Sequence, residues 1–486
     1  MGALPEYRGG YAAEKVIMPA LTERSGRAIA ERRRGLDTWM MGGLCLLFIF
    51  VSISPASYLF SYAPGIQGLF VNILKFVPPA GILLLFSILI WVERRKGLQQ
   101  ILRTPLVSAI IVFETVTFLS SLGAVEPRLG LSRDFYYAIT GPLIALVVFG
   151  GIRKWGDFRR FVELVFWTAT AVSAYGILEF VLDRNPIFEE VFSAQNPLYA
   201  QFALEGTFGA RIRSSVGHPV FLGAYLLMLI PLGWVLASEP RRSRTYRTMA
   251  LSGVLCTIAA LLLTFSRGAW GGIGVGMAVY SVLRVRTERK RPGVVATESG
   301  RIRQMAWIMA VVLVFVALVL NFDKISTTLM ERGTLKQVRA FKTDPRGVAY
   351  AQAAGMVEDH PLLGIGTAHY RYLARHYGDY DDTPDNGYLR TLAENGILGL
   401  GSMIAVFAGL LKVLVRQARH KDDEEGGEAE FSSSLSVALA ASFAGFFVDM
   451  VTSDALQFPL TRLTFWMLAG LTIAIDRKNQ ERLNKD

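Results

Sequence analysis

Four short stretches of this 486-residue sequence hold side chains able to bind or transform a charged ligand. The first is Arg211-Ile212-Arg213-Ser214-Ser215-Val216-Gly217-His218-Pro219. Guanidinium and hydroxyl donors that lead into a helix start, with proline near its first turn, suit an anion. A guanidinium grips phosphate through two parallel hydrogen bonds and stays charged beside lipid. The competing reading is arginines that snorkel at a helix end. The second stretch is Thr264-Phe265-Ser266-Arg267-Gly268-Ala269-Trp270. An arginine in a tight turn between two apolar segments is costly, so Arg267 is a functional candidate; the alternative is a cap on the carbonyls of the preceding helix. The third is His360-Pro361-Leu362-Leu363-Gly364-Ile365-Gly366, followed by His369, Tyr370, Arg371, Arg375 and His376. Its glycines admit close backbone approach, and solvation is the plainer reading for His369 and His376. The histidine spacing fits no zinc pattern, so no metal and no cofactor are expected. The fourth runs from Asp385-Asn386-Gly387-Tyr388 through Arg390 to Glu394-Asn395-Gly396 and Gly399. Asp385 is placed to cap a helix. Glu394 would then lie some two turns inside the membrane and needs a partner, with Arg390 one turn earlier as the candidate.

The elements that carry these stretches are apolar. Hydrophobic residues make up 52% and charged residues 19%, with a mean hydropathy of +0.36. Runs long enough to cross a bilayer as helices recur along the chain. Twelve are read, at about 39–55, 76–92, 105–123, 134–152, 159–182, 217–236, 247–265, 267–283, 304–321, 388–411, 433–451 and 458–475. The fold class is therefore an all-α integral membrane protein. The eighth run is rich in glycine, and only Ser266-Arg267-Gly268 separates it from the seventh. Glu114, in the third, poses the same question as Glu394: packing or catalysis.

The net charge of +11 first suggests nucleic acid. Lys and Arg instead cluster in every second loop, from Arg32-Arg33-Arg34 to Arg477-Lys478, while the alternate loops are poor in them. That is the positive-inside pattern, so the excess marks topology and no nucleic-acid partner is expected. It puts both termini in the cytoplasm and one long polar loop outside. The domain plan is a basic cytoplasmic arm at 1–38, a membrane domain at 39–475 with the large outer loop at 322–387 between the ninth and tenth spans, and a cytoplasmic tail at 476–486. Cys45 and Cys256 fall within spans and read as small buried residues, with no disulfide framework.

Taken together and in order, the four stretches resemble the O-antigen ligase and Wzy-type polymerase superfamily of bacterial membrane glycosyltransferases. The resemblance rests on Arg211 to Pro219 with Gly223 and Tyr225, on Thr264 to Gly268, on His360 to Gly366, and on Asn386-Gly387-Tyr388-Leu389 with Glu394-Asn395-Gly396. It covers about 200–475 well. It implies a GT-C-like fold in the inner membrane, an undecaprenyl-pyrophosphate-linked glycan as donor and a second glycan as acceptor, with membrane lipids around both. A flippase and a chain-length regulator are further implied partners. Arg211 and Arg267 would hold the pyrophosphate, with Arg213 and Arg371 as weaker candidates. His218, Tyr370, Asn386 and Glu394 complete the expected substrate contacts, with His360 or His369 in reserve. Ligases of the family carry a histidine before the asparagine that matches Asn386. Here that residue is Asp385, a carboxylate still able to accept a hydroxyl proton. The substitution favours a polymerase of exopolysaccharide or O-antigen repeats over a ligase that acts on lipid A core or protein. A small-solute or inorganic-carbon transporter is the reading from another class, and it predicts broken helices and polar groups at the membrane midplane.

Overall fold

The computed structural model describes residues 38–53, 76–90, 105–186, 211–288, 345–379, 383–419 and 427–483. Most of the expected basic arm, the ninth run at 304–321 and the first part of the long polar loop lie outside these residues. Among the described residues there are helices and turns and no strand. In chain order the helices are α1 (Thr38–Ile53), α2 (Phe76–Ile90), α3 (Pro105–Leu122), α4 (Pro127–Gly151), α5 (Trp155–Leu182), α6 (Pro219–Ser238), α7 (Arg244–Leu263), α8 (Arg267–Glu288), α9 (Pro345–Asp359), α10 (Tyr370–Tyr377), α11 (Gly387–Arg419), α12 (Gly427–Asp449) and α13 (Pro459–Leu483). Seven of them are long and apolar enough to cross a membrane. Eleven of the twelve expected spans coincide with a helix. The chain is therefore a multi-pass membrane protein by length and composition.

Some boundaries move. The expected loop at 124–133 shrinks to a short turn, because Pro127 opens α4 at its first turn and draws Arg128 and Arg133 into the helix. The tail expected from 476 continues α13 to Leu483. Within α4, a single π-helical stretch at Ile139–Leu143 accommodates Pro142.

Side-chain contacts divide the bundle into two ends. Arg159 meets Glu239, Arg242 meets Glu163, Arg416 meets Asp476, and Arg477 donates to the Ile152 carbonyl. These basic loops gather at one end. The turns holding residues 211, 264–268, 360–369, 383–397 and 449–458 gather at the other, called here the loop end. Alternation of the charged loops thus corresponds to alternation in space.

The glycine content of α8 has a packing cause. An added Cβ at Gly272 would lie 2.5 Å from the Gly445 carbonyl, and one at Gly276 would lie 2.7 Å from the Ala441 carbonyl. With Gly268, these residues form a stripe at fourfold spacing, and α8 lies backbone to backbone on α12, as small residues allow in membranes. Gly272→Leu is expected to force the two helices apart and to destabilise the fold by about 1–3 kcal/mol, read as a lower thermal midpoint of the detergent-solubilised protein. Phe407, Phe443, Phe447 and Phe465 cluster where α11, α12 and α13 meet, with Phe407 and Phe447 stacked at 3.9 Å between centroids and Phe465 edge-on to Phe407 and Phe443. These contacts hold α8 and α11 in register on α12, which sets the relative height of Arg267 and Asn386.

Candidate active site at the loop end

The segment 211–217 is anchored before it presents a ligand group. Buried Glu179, near the end of α5, accepts from the Arg213 and Ser214 backbone amides at 3.0 and 2.6 Å, and from Arg213 Nε at 3.3 Å. Ser214 Oγ donates to the Val172 carbonyl and Ser215 Oγ to the Ser52 carbonyl. These bonds hold Ser214 at φ 52°, a conformation rare for a non-glycine residue. Arg213, expected as a weaker ligand contact, is therefore engaged by Glu179 in a structural ion pair. The sequence reading missed Glu179; its signal was an acid in the apolar second half of its span, which holds no basic residue.

Arg211 lies beside the second stretch. Its Nε donates to the Thr264 carbonyl at 2.7 Å, and the Ile212 amide donates to the Leu263 carbonyl. The cap on the last carbonyls of α7, entertained for Arg267, is supplied by Arg211. Arg267 itself is exposed, opens α8, and makes no hydrogen bond or ion pair to the described residues. The turn between them holds Phe265 at φ 49°. It is braced by Thr264 Oγ1, which accepts from the Ser266 amide, and by Trp270 Nε1, which donates to the Leu261 carbonyl. Strain of this kind persists where the surroundings over-determine it and is frequent at ligand sites. The result is a strained turn that carries one guanidinium, Arg267, at a helix N-terminus, where backbone amides favour an anion, and that is bonded through the Thr264 carbonyl to a second, Arg211. His218 is the N-cap residue before Pro219, and its ring lies 4.7 Å from Phe221.

The Asp385–Asn386 end reaches the same region through α12. The Gly387 amide donates to the carbonyls of both Met450 and Ser453, and Tyr388 Oη donates to the Phe447 carbonyl. Gly268 lies against the same turn; a Cβ there would sit 2.9 Å from Asp449 Oδ1. The turn after α12 therefore seats both the Arg267 helix start and the Asn386 helix start. Asp385 is not the expected cap. Asn386 is, with its Oδ1 accepting from the Leu389 amide at 2.9 Å. Asp385 is half-exposed and ion-paired with Arg346 at 2.8 Å.

The expected single tenth span is two helices. At Gly396, φ 66° and ψ −170° break α11 into a short helix, 387–395, and a long one, 397–419. Glu394 is thus in the short helix just before the break, not within the long membrane helix. Its expected partner is present: Arg390 Nε lies 3.1 Å from Glu394, and Arg390 Nη1 lies 2.6 Å from Asp454. The groups freed by the break are taken up by the third stretch. Ile365 and Gly366 amides donate to the Ala393 and Glu394 carbonyls, and the Ile397 amide donates to the Pro361 carbonyl. Such non-helical backbone is tolerated at membrane depth only when it is buried in protein. Both glycines of this lock have positive φ, and a Cβ on Gly364 or Gly396 would meet backbone at 2.5 Å from Asn395 N or 2.6 Å from Leu363 N. Gly396→Ala is expected to destabilise by about 1–3 kcal/mol and to speed amide exchange at residues 361–366, measured by hydrogen–deuterium exchange.

The histidines part company. His369 is fully buried. Its Nδ1 lies 2.9 Å from the Thr367 carbonyl, and its Nε2 accepts from the Glu126 amide at 3.3 Å. That pairing describes a neutral ring in a structural role, against the expectation of a solvated or reserve proton-handling group. His360 and His376 are exposed, and Arg371 is exposed on α10. Tyr370 is buried, with its Oη donating to the Ala349 carbonyl at 2.5 Å, so it is a core residue and not a substrate contact. With Ala353, Met356, Ile365, Ala374 and Ala393 it makes a small second core that fastens α9 and α10 onto the short half of α11. Tyr377 donates to Asp359, and burial with this bond pushes its phenol above its ordinary value.

The break in α11, the glycine lock and the Arg267 turn all lie within one stretch of chain. Residues 252–404 match the family model of the O-antigen ligases. The match supports membership in the O-antigen ligase and Wzy-type family. No curated protein matches the sequence. The family segment holds Arg267, His360 to Gly366 and Asp385 to Gly399, whereas Arg211 and the turn after α12 come from outside it. The candidate site thus draws on the matched segment and on helices that flank it.

Proposed function

We propose that the protein polymerises polyprenyl-pyrophosphate-linked oligosaccharide repeat units, of exopolysaccharide or O-antigen, on the periplasmic face of the inner membrane. The observation that supports this reading is the exposed Arg267 on a strained turn inside the segment that matches the O-antigen ligase family, with Arg211, from outside that segment, bonded to the Thr264 carbonyl of the same turn. Fixed guanidinium groups in a water-poor site favour the charge that develops on a departing pyrophosphate. The acceptor hydroxyl attacks the anomeric carbon, its proton passes to a base, and the glycosidic C–O bond breaks with its electron pair leaving on the pyrophosphate. In-line attack inverts the anomeric configuration. Asp385 is the base, oriented by Arg346. No metal is needed in this scheme, because the arginines neutralise the leaving group. The positive-inside pattern places both termini in the cytoplasm.

Purified protein given only a lipid-linked repeat unit tests the reading: a polymerase makes a ladder of products. A ligase makes none until lipid A core or an acceptor protein is added. Asp385→Asn is expected to lower turnover about 10²–10⁴-fold. It should also abolish the fall in rate on acidification, since a general base works only when ionised. Full turnover of this variant across pH removes Asp385 as base.

A further inference from the structure

Beneath the short half of α11 lies a cavity of about 70 Å³ that the glycosyl-transfer scheme does not use. Asp134 on α4 and Glu114 on α3 line it together with Arg462 on α13. Asp134 is 5% exposed, and neither of its carboxylate oxygens has a partner of good hydrogen-bond geometry, although the Ser121 and Thr367 hydroxyls lie near enough to interact with it. The Glu114 side chain makes no hydrogen bond or ion pair among the described residues. Arg462 is not the missing counter-ion. Its guanidinium donates to the Leu456 and Gln457 carbonyls at 2.7 and 2.5 Å and sits 3.6 Å above the Tyr137 ring. Among the described residues no carboxylate lies within ion-pair distance of it.

The charges do not balance. With both acids ionised, two carboxylates against one guanidinium leave one negative charge in a region walled by helices. The neighbouring charges do not supply the difference. Arg390 is shared between Glu394 and Asp454, His369 is neutral in its hydrogen-bonding pattern, and Arg133 lies over the outer ring face of Tyr137, 5.8 Å from its centroid. An isolated buried carboxylate is too costly to persist without a compensating cation or proton. The cavity also offers neutral oxygen ligands from Thr117, Thr367 and Asn395. Hard oxygen donors of this kind suit alkali and alkaline-earth cations rather than soft metals. A single uncompensated charge suits a monovalent ion, and no group of three acids able to hold a metal occurs among the described residues.

We propose that this cavity is a binding site for a small monovalent cation of the sodium class, held by Asp134 and Glu114. The site ties α3 and α4 to α13 under the helix that follows Asp385, so the cation stabilises the floor of the loop end. The inference does not rest on the proposed glycosyl transfer.

The full-length protein in lipid nanodiscs is tested at pH 8 with radioactive sodium as the probe, and by thermal unfolding in sodium chloride against choline chloride at equal ionic strength. The expected results are saturable sodium binding at one ion per chain and a midpoint that rises with sodium and not with choline. Asp134→Asn and Glu114→Gln should each weaken sodium binding roughly tenfold or more while leaving the gel-filtration profile unchanged. Wild-type protein that binds no sodium saturably overturns the proposal and assigns the missing charge to a proton. Binding that persists unchanged in both variants overturns it as well. If Asp134→Asn fails to fold, the wild-type isotherm and Glu114→Gln decide.

Discussion

Arg267→Ala is expected to lower the rate of elongation of a defined lipid-linked repeat unit about 10²–10³-fold, equivalent to about 2.7–4 kcal/mol of transition-state stabilisation, with little change in thermal midpoint. The two halves of this expectation have separate grounds. The side chain is exposed and makes no hydrogen bond or ion pair to the described residues, so its removal strands no buried partner. Its position at the first residue of α8 adds a full charge to a helix N-terminus, where charge stabilises a leaving pyrophosphate more than it stabilises the bound donor. Membranes or purified protein carrying the variant, assayed for chain length and rate, check it. Elongation at the normal rate would remove Arg267 from the clamp. Arg211→Ala is not an equivalent test, because Arg211 also caps the Thr264 carbonyl, so structural and catalytic losses would mix.

Arg390→Met should be among the most damaging single substitutions for the fold, at about 3–5 kcal/mol. Glu394 is 1% exposed and Asp454 10%, and both pair with this one guanidinium. Deleting it leaves two buried carboxylates facing each other without a cation. Methionine keeps most of the volume, so the loss reports charge rather than a void. A matched triple variant, Arg390→Met with Glu394→Gln and Asp454→Asn, should recover much of the stability, since replacing all partners of a buried network costs far less than orphaning some of them. Unfolding in detergent, followed by tryptophan fluorescence or differential scanning, measures both. Because Asp454 also accepts from Thr383 at 3.3 Å, the single variant should loosen the connection to Asp385 and reduce turnover in parallel.

Much of the architecture was legible in the chain itself. Hydropathy located the apolar helices, seven of which among the described residues are long and apolar enough to cross a bilayer, because bilayer thickness imposes a length and a composition on any helix that crosses it. The basic loops alternated because retained Lys and Arg set orientation, and the structure collects those loops at one end. Gly364 and Gly366 announced a turn with close backbone approach, and both have positive φ there; the break at Gly396 lay inside an expected single span. The Arg390–Glu394 pair followed from helical spacing alone.

What the chain could not reveal by itself was which polar groups meet. His369 and Arg267 both read as polar residues in outer turns. Packing buries the first among backbone partners and leaves the second exposed. Arg211 and Arg213 are two residues apart with the same chemistry, yet Glu179 on a distant helix claims Arg213, while the Thr264 carbonyl orients Arg211. Asp385 and Asn386 exchanged their expected roles because the cap is decided by the position where the backbone becomes helical, and that is set by Gly387 docking on Met450 and Ser453. The two acids around the cavity lie on consecutive helices, but the arginine comes from a helix hundreds of residues further on. Local spacing carries no information about such a meeting. Sequence alone determined the membrane class, the spans and the residue types at hand; tertiary packing decided which charges pair inside and which remain available to a ligand, because pairing depends on distances between helices rather than along them.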